Sequence, residues 1–294
     1  MKYLFFLLLL STFACSPKSD TMDTLKELIT SGKDIYIENA DFTGDLDLTT
    51  FLEKNLISEG VYQAKTSSSI TFNNCRFNGK VIAFKTANNT STVVSFLSNV
   101  SFINCHFSDE VNLRGCSILG RTDFTKSVFD KKVSFEECTF YQNAYFNGCT
   151  FNEELRFQNA FFMKNCNFSN TKYQKVASFQ SATFNSGLQF LVATFYQFAD
   201  FSLIKCKDDV FFNYSEFNDK SNFSNSSFAG SANFMNVRFT NAEFKDCLFI
   251  GEFNLLKATL TQFLDIDHSH FITKKPDLSF LPKEKIKIDN NQAQ

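Results

Sequence analysis

VSFEECTFYQN (133–143), AYFNGCTFNEE (144–154) and LRFQNAFFMKN (155–165) are three consecutive copies of an eleven-residue unit. From Val100 the unit recurs thirteen times without a gap. Its third position is Phe in twelve copies, Leu113 being the exception. Its eighth is Phe in ten, the others being Ile118, Tyr173 and Cys206. With 40 Phe in 294 residues, chance places about two in each column. Self-similarity at a fixed period marks a solenoid, in which each unit buries its apolar side chains against its neighbours.

The apolar or small residues stand at positions 1, 3, 6 and 8 of the unit. At about 100° per residue they scatter around a helix axis and form no stripe, which excludes an eleven-residue coiled coil. Spacings of two within each pair suit short extended segments with both side chains inward, and spacings of three suit corners. Position 5 is often Asn or Gly, as at Asn104, Gly115, Gly148, Asn159, Asn170, Asn225 and Asn236. Such residues tolerate a left-handed backbone. One unit therefore supplies two sides and two corners, and two units close one four-sided coil. Charges support that double-unit step: position 10 reads Asp109, Lys131, Glu153, Lys175 in alternate units, and position 11 reads Glu110, Lys132, Glu154.

Units such as ASFQSATFNSG (177–187) and SNFSNSSFAGS (221–231) resemble the A-x-F-x-x-A-x-F-x-x-x variant of the pentapeptide-repeat family. The resemblance implies a right-handed quadrilateral β-helix, an all-β solenoid, over residues 35–274. Insertions near 52–69 and 85–99 interrupt it and are expected to loop out, and Phe239 and Phe244 are five apart where the unit wants six. Residues 20–33 read as an amphipathic capping helix, with Asp20 or Thr21 as cap, Leu25, Leu28 and Ile29 on one face and Gly32 as the stop. Residues 275–294 are expected to close the other end and continue as a tail.

The first fourteen residues, MKYLFFLLLLSTFA, read as a secretion signal: basic Lys2, a short apolar run, then small residues before Cys15. The site resembles that of bacterial lipoproteins, which implies lipidation of Cys15 and a tether over 15–34. The expected address is the cell envelope, membrane-anchored on the periplasmic or surface side, with plain secretion as the alternative.

No catalytic, cofactor or metal constellation stands out. The cysteines Cys75, Cys105, Cys116, Cys138, Cys149 and Cys247 fall at position 6, Cys166 at position 1 and Cys206 at position 8, all inward slots. DIDHSH (265–270) places His268 and His270 at a corner, facing outward, with Leu264, Ile266, Ser269 and Phe271 inward. One outward stretch departs from the polar norm: Leu191, Val192, Tyr196, Phe198, Leu203, Phe211 and Tyr214. These form the candidate interaction patch. The expected function is a non-catalytic scaffold binding an envelope protein or a glycan. Some family members are DNA mimics acting on DNA gyrase, but residues 100–274 hold 18 acids against 16 bases, so the rod is only at −2. Nucleic acid is not an expected partner on that balance. A polysaccharide-processing β-helix enzyme is the further alternative, and it wants clustered carboxylates. Some relatives form end-to-end dimers, and the sequence does not choose an oligomeric state.

Overall fold

The computed structural model describes residues 22–288, so the signal segment, Cys15 and the last six residues lie outside the described part. The chain winds into an all-β solenoid of about nine coils. Each regular coil contributes four two-residue strands, for example Val133–Ser134, Thr139–Phe140, Ala144–Tyr145 and Thr150–Phe151. Every strand pairs in parallel with its counterpart one coil away. Numbering the sides in chain order, face 1 begins at Ile35–Glu38 and stacks ten strands. Face 2 carries Thr150–Phe151, face 3 Val133–Ser134 and face 4 Thr139–Phe140.

The register is the one the repeat predicts. On face 1, Val100, Thr122, Ala144, Cys166, Leu188, Val210 and Ala232 lie in one row, each exactly two repeat units from the next. The last step, Ala232 to Phe253, is one residue shorter. The missing residue belongs to the corner between Phe239 and Phe244, where the face 2 and face 3 strands merge into one segment, Arg238–Glu243, with a register shift.

Inside, the Phe columns are continuous. Ring centroids along Phe102, Phe124, Phe146, Phe168, Phe190, Phe212 and Phe234 are 4.8–5.4 Å apart, with planes within 9° of parallel. A neighbouring column, Phe135 to Phe244, meets it edge-on, as Phe146 meets Phe157 at 84°. Offset stacking along the rod and edge-to-face contact across it use both favourable ring geometries. Each buried Phe contributes roughly 1.5–3 kcal/mol.

The corners follow from the backbone. Position 5 has positive φ in all thirteen units, from Asn104 at 53° and Gly115 at 68° to Asn236 at 58°. The charge alternation, by contrast, marks the register more than it forms bonds. Lys132 meets Glu154 at 3.7 Å, but Asp109, Lys131, Glu153 and Lys175 form no ion pair among the described residues. Arg114 instead takes Glu137 at 2.8 Å, and Arg156 bridges Glu136 at 3.7 Å and Glu154 at 2.8 Å.

Helix α1 (Met22–Thr30) lies over the first coil with Leu25 and Ile29 buried. Leu28 differs from expectation: it is 39% exposed, while Met22, Leu25 and Ile29 make the side that packs on the coil. Gly32, at φ 71°, ends the turn. The two insertions are ordered hairpins rather than open loops. Lys54–Ser58 pairs antiparallel with Val61–Thr66, Phe84–Ala87 with Thr90–Phe96, and the two inner strands pair in parallel. Together they form a small wing beside the corner of faces 3 and 4. At the far end Leu281 is buried and Ile286–Lys287 pairs with Leu264–Asp265, carrying face 3 one strand further.

Candidate binding surface

The winding distributes the seven outward apolar residues around the rod. Leu191, Val192, Phe211 and Tyr214 come together on face 1 and its edge with face 2. Tyr196 and Phe198 stand at the edge of faces 2 and 3, and Leu203 at the edge of faces 3 and 4. A run that is continuous in sequence is therefore not one patch, since a single coil carries the chain past all four sides. None of the seven is buried; Val192, Tyr196, Leu203 and Tyr214 are exposed, and the other three are half-buried.

Three of them occupy left-handed corners. Val192, Leu203 and Tyr214 have φ of 57°, 60° and 62°. A residue with a Cβ loses roughly 1–2 kcal/mol in that conformation. Asn170 and Asn236 fill the same corner column as Val192 and Tyr214 and offset part of that cost through their short polar side chains. Lys126, Glu137 and Ser181 hold the same left-handed position in other units, so the coil accepts several side chains there.

A second apolar row was not apparent from the sequence. At the edge between faces 4 and 1, Leu97, Leu119, Tyr141 and Met163 stand on four successive coils, 37–42% exposed. They lie directly above one another: the Leu119, Tyr141 and Met163 amides each donate to the residue preceding the row member one coil below, Phe96, Ile118 and Phe140, at 2.8–3.0 Å. Three coil steps make the row about 14 Å long. Ile250 and Ile272 continue the same edge near the far end. These residues stand at position 9 of alternate units. The other units put Ser108, Asp130, Asn152 and Gln174 at that position, on the edge of faces 2 and 3. Read as one column the position looks mixed, whereas read in every second unit it is apolar from Leu97 to Met163 and then polar at Asn185 and Lys207.

Face 1 thus has an apolar edge beside face 4 from Leu97 to Met163 and, further along the rod, apolar Val192 and Tyr214 on its other edge. Between them it is mostly uncharged: Tyr145, Asn167, Gln189, Phe211 and Asn233 point outward. An ion pair joins Asp123 to Arg121 at 2.6 Å, and the Arg121 guanidinium also sits 4.4 Å from the Tyr145 ring centre. Such a surface suits contact through apolar, aromatic and amide groups.

Residues 124–172 match the family model for pentapeptide repeats (9 copies). The matched segment carries the middle of the apolar row, Tyr141 and Met163. Comparison with curated proteins and with solved structures finds no match.

The other candidate groups lie as follows. His268 is exposed, 3.8 Å from Asp246 across one coil, and His270 points outward on face 4. Ser269 is buried and donates to the Phe244 carbonyl. All eight cysteines after Cys15 are buried. On face 2, Arg76 lies 2.8 Å from His106 Nδ1, and His106 Nε2 lies 2.6 Å from Asp130. A guanidinium can only donate, so Nδ1 accepts and Nε2 carries the proton to Asp130. Asn152 donates to the other Asp130 oxygen at 2.9 Å. Burial raises the Asp130 carboxyl, but the hydrogen bonds from His106 and Asn152 outweigh it and hold the pKa below its usual value. Every partner is satisfied within this chain of residues, as in a structural ladder.

Proposed function

We propose that this protein is a non-catalytic scaffold, held at the cell envelope by lipid on Cys15, that binds a partner along face 1. The observation that carries the reading is the row of exposed apolar side chains along one edge of that face, Leu97, Leu119, Tyr141 and Met163. Val192 and Tyr214 support it, because they put exposed apolar side chains at left-handed corners where neighbours in the column carry Asn or Lys. The mixed-sign pairs on face 3, Lys132–Glu154 and Arg156–Glu136, argue against an unbroken negative stripe of the sort a DNA mimic presents.

The test is site-specific photocrosslinking in intact cells, with the probe at Tyr141, at Tyr214 or at Asn152 of the polar row. A partner captured from Tyr141 and Tyr214 but not from Asn152 supports binding by face 1. Capture from Asn152 alone, or equally from all three, rejects it. Fractionation beside a Cys15→Ser variant tests the anchor separately: the wild type should stay with membranes and the variant should not.

A further inference from the structure

Two of the eight buried cysteines differ from the rest in position and surroundings. Strand Arg76–Phe77 pairs with His106–Phe107 in register, so the residues just before them, Cys75 and Cys105, share one inward slot on adjacent coils. The His106 amide donates to the Cys75 carbonyl at 2.9 Å, which locks that stacking. Adjacent coils hold equivalent Cα atoms about 4.8 Å apart, inside the roughly 4.4–6.8 Å range a disulfide spans. Each thiol donates weakly to backbone carbonyls, Cys75 to Asn73 at 3.4 Å and Cys105 to Ile103 at 3.4 Å.

Cys116 and Cys138 share a slot in the same way, but they are sealed. Both are fully buried, and the Cys138 thiol donates to the Leu113 carbonyl at 2.8 Å. Burial pushes Cys116 up to about 12 and raises Cys138 well above the ordinary thiol value. Cys75 is 3% exposed, but it forms part of the wall of an open pocket of about 330 Å³, together with Asn39, Asp41, Asn74, Asn104, Arg76 and His106. The neighbouring Cys105 thiol lowers Cys75 to about 7 against the effect of burial, and Cys105 is pushed up by Cys75 and by burial. A thiol that ionises easily beside cationic or polar groups and can be reached from solvent is the reactive kind.

We propose that Cys75 and Cys105 are an oxidisable dithiol, in which Cys75 exchanges with a small disulfide through this pocket and Cys105 closes a disulfide joining the two coils. In the first step the Cys75 thiolate attacks one sulfur of R–S–S–R, forms Cys75–S–S–R and expels RS⁻. In the second, Cys105 gives its proton to the released thiolate and attacks the Cys75 sulfur, expelling the second RS⁻. Two cysteines lose two electrons in total, and one disulfide is reduced to two thiols. The product staples the coil that begins at Ile70, which bears the second hairpin, to the one that begins at Val100.

The experiment treats the native protein with dithiodipyridine and follows thiopyridone release and protein mass. The wild type should release two equivalents in one fast phase, retain no label, and yield a peptide pair linked through Cys75 and Cys105. Cys105→Ser should release one equivalent and keep the label on Cys75. Cys75→Ser should lose the fast phase entirely. Serine is suited to this slot, since Ser127 occupies it one coil further on and accepts from the Cys105 amide at 3.0 Å. Identical time courses for the wild type and Cys75→Ser, or a stable label on Cys75 with no linked peptides, would overturn the proposal.

Discussion

Replacing Val192 with Asn should make the protein more stable, although it removes an apolar side chain. Val192 has φ 57° and is 52% exposed. Two other members of its corner column, Asn170 and Asn236, both at φ 58°, show that the coil accepts Asn there. Left-handed backbone costs a residue with a Cβ roughly 1–2 kcal/mol, and a β-branched residue is the least suited to it. Asn recovers much of that through its short polar side chain. Against this stands the lost burial of a half-exposed Val, below about 1 kcal/mol. The net gain is about 1 kcal/mol, which raises the midpoint by about 2–4 °C for a chain of this size. Asn236→Val makes the opposite change in the same column and should lose a similar amount. Thermal unfolding by circular dichroism, with the two variants run beside the wild type, measures both. A Val192→Asn protein melting at or below the wild type would refute the claim that this corner is strained.

Further expectations follow from single positions. Tyr173 stands in a Phe column with its hydroxyl buried and without a well-formed hydrogen bond, so Tyr173→Phe should gain about 1 kcal/mol in chemical denaturation. A Cβ on Gly120 would collide with the Ser98 carbonyl one coil below, whereas one on Gly187 meets only the Asn165 carboxamide at 3.4 Å. Gly120→Ala should therefore cost about 3 kcal/mol or more by overpacking, and Gly187→Ala should melt close to the wild type. Asp47 caps the short helix α2 (Leu48–Phe51) and accepts from Lys85 Nζ at 2.8 Å. Burial opposes its ionisation, yet the hydrogen bonds from Lys85 and Thr49 prevail and lower its pKa from 3.8. Its contribution is thus present above 3.8 and lost as pH falls through the lower folded value, so Asp47→Asn should be less stable than the wild type near neutrality. That difference should shrink in acid; a gap unchanged between neutral pH and pH of about 3 would contradict the assignment.

The coil was legible in the sequence because the constraint on it is repeated. Each inward slot is filled thirteen times with the same chemistry, so Phe at positions 3 and 8 and Asn or Gly at position 5 report the sides and corners without a structure. The candidate surface was harder to read, since its residues are neighbours only along the rod. Leu119, Tyr141 and Met163 stand in every second unit, and the intervening units carry Asp130 and Asn152 at the same position. Conversely, Leu191 to Tyr214 looked like one patch because its members are close in the chain, and the winding sends Leu203 to a different edge.

The sequence by itself determined the period, the inward slots and the corner positions, because these depend on residue spacing and local backbone preference. Tertiary structure decided which outward residues share a side, that the insertions pair as hairpins, and which cysteines can be reached from solvent. Each of these depends on what the adjacent coils place beside a residue. Cys75 and Cys116 stand at the same position of the unit, yet one borders an open pocket and the other is sealed in the core.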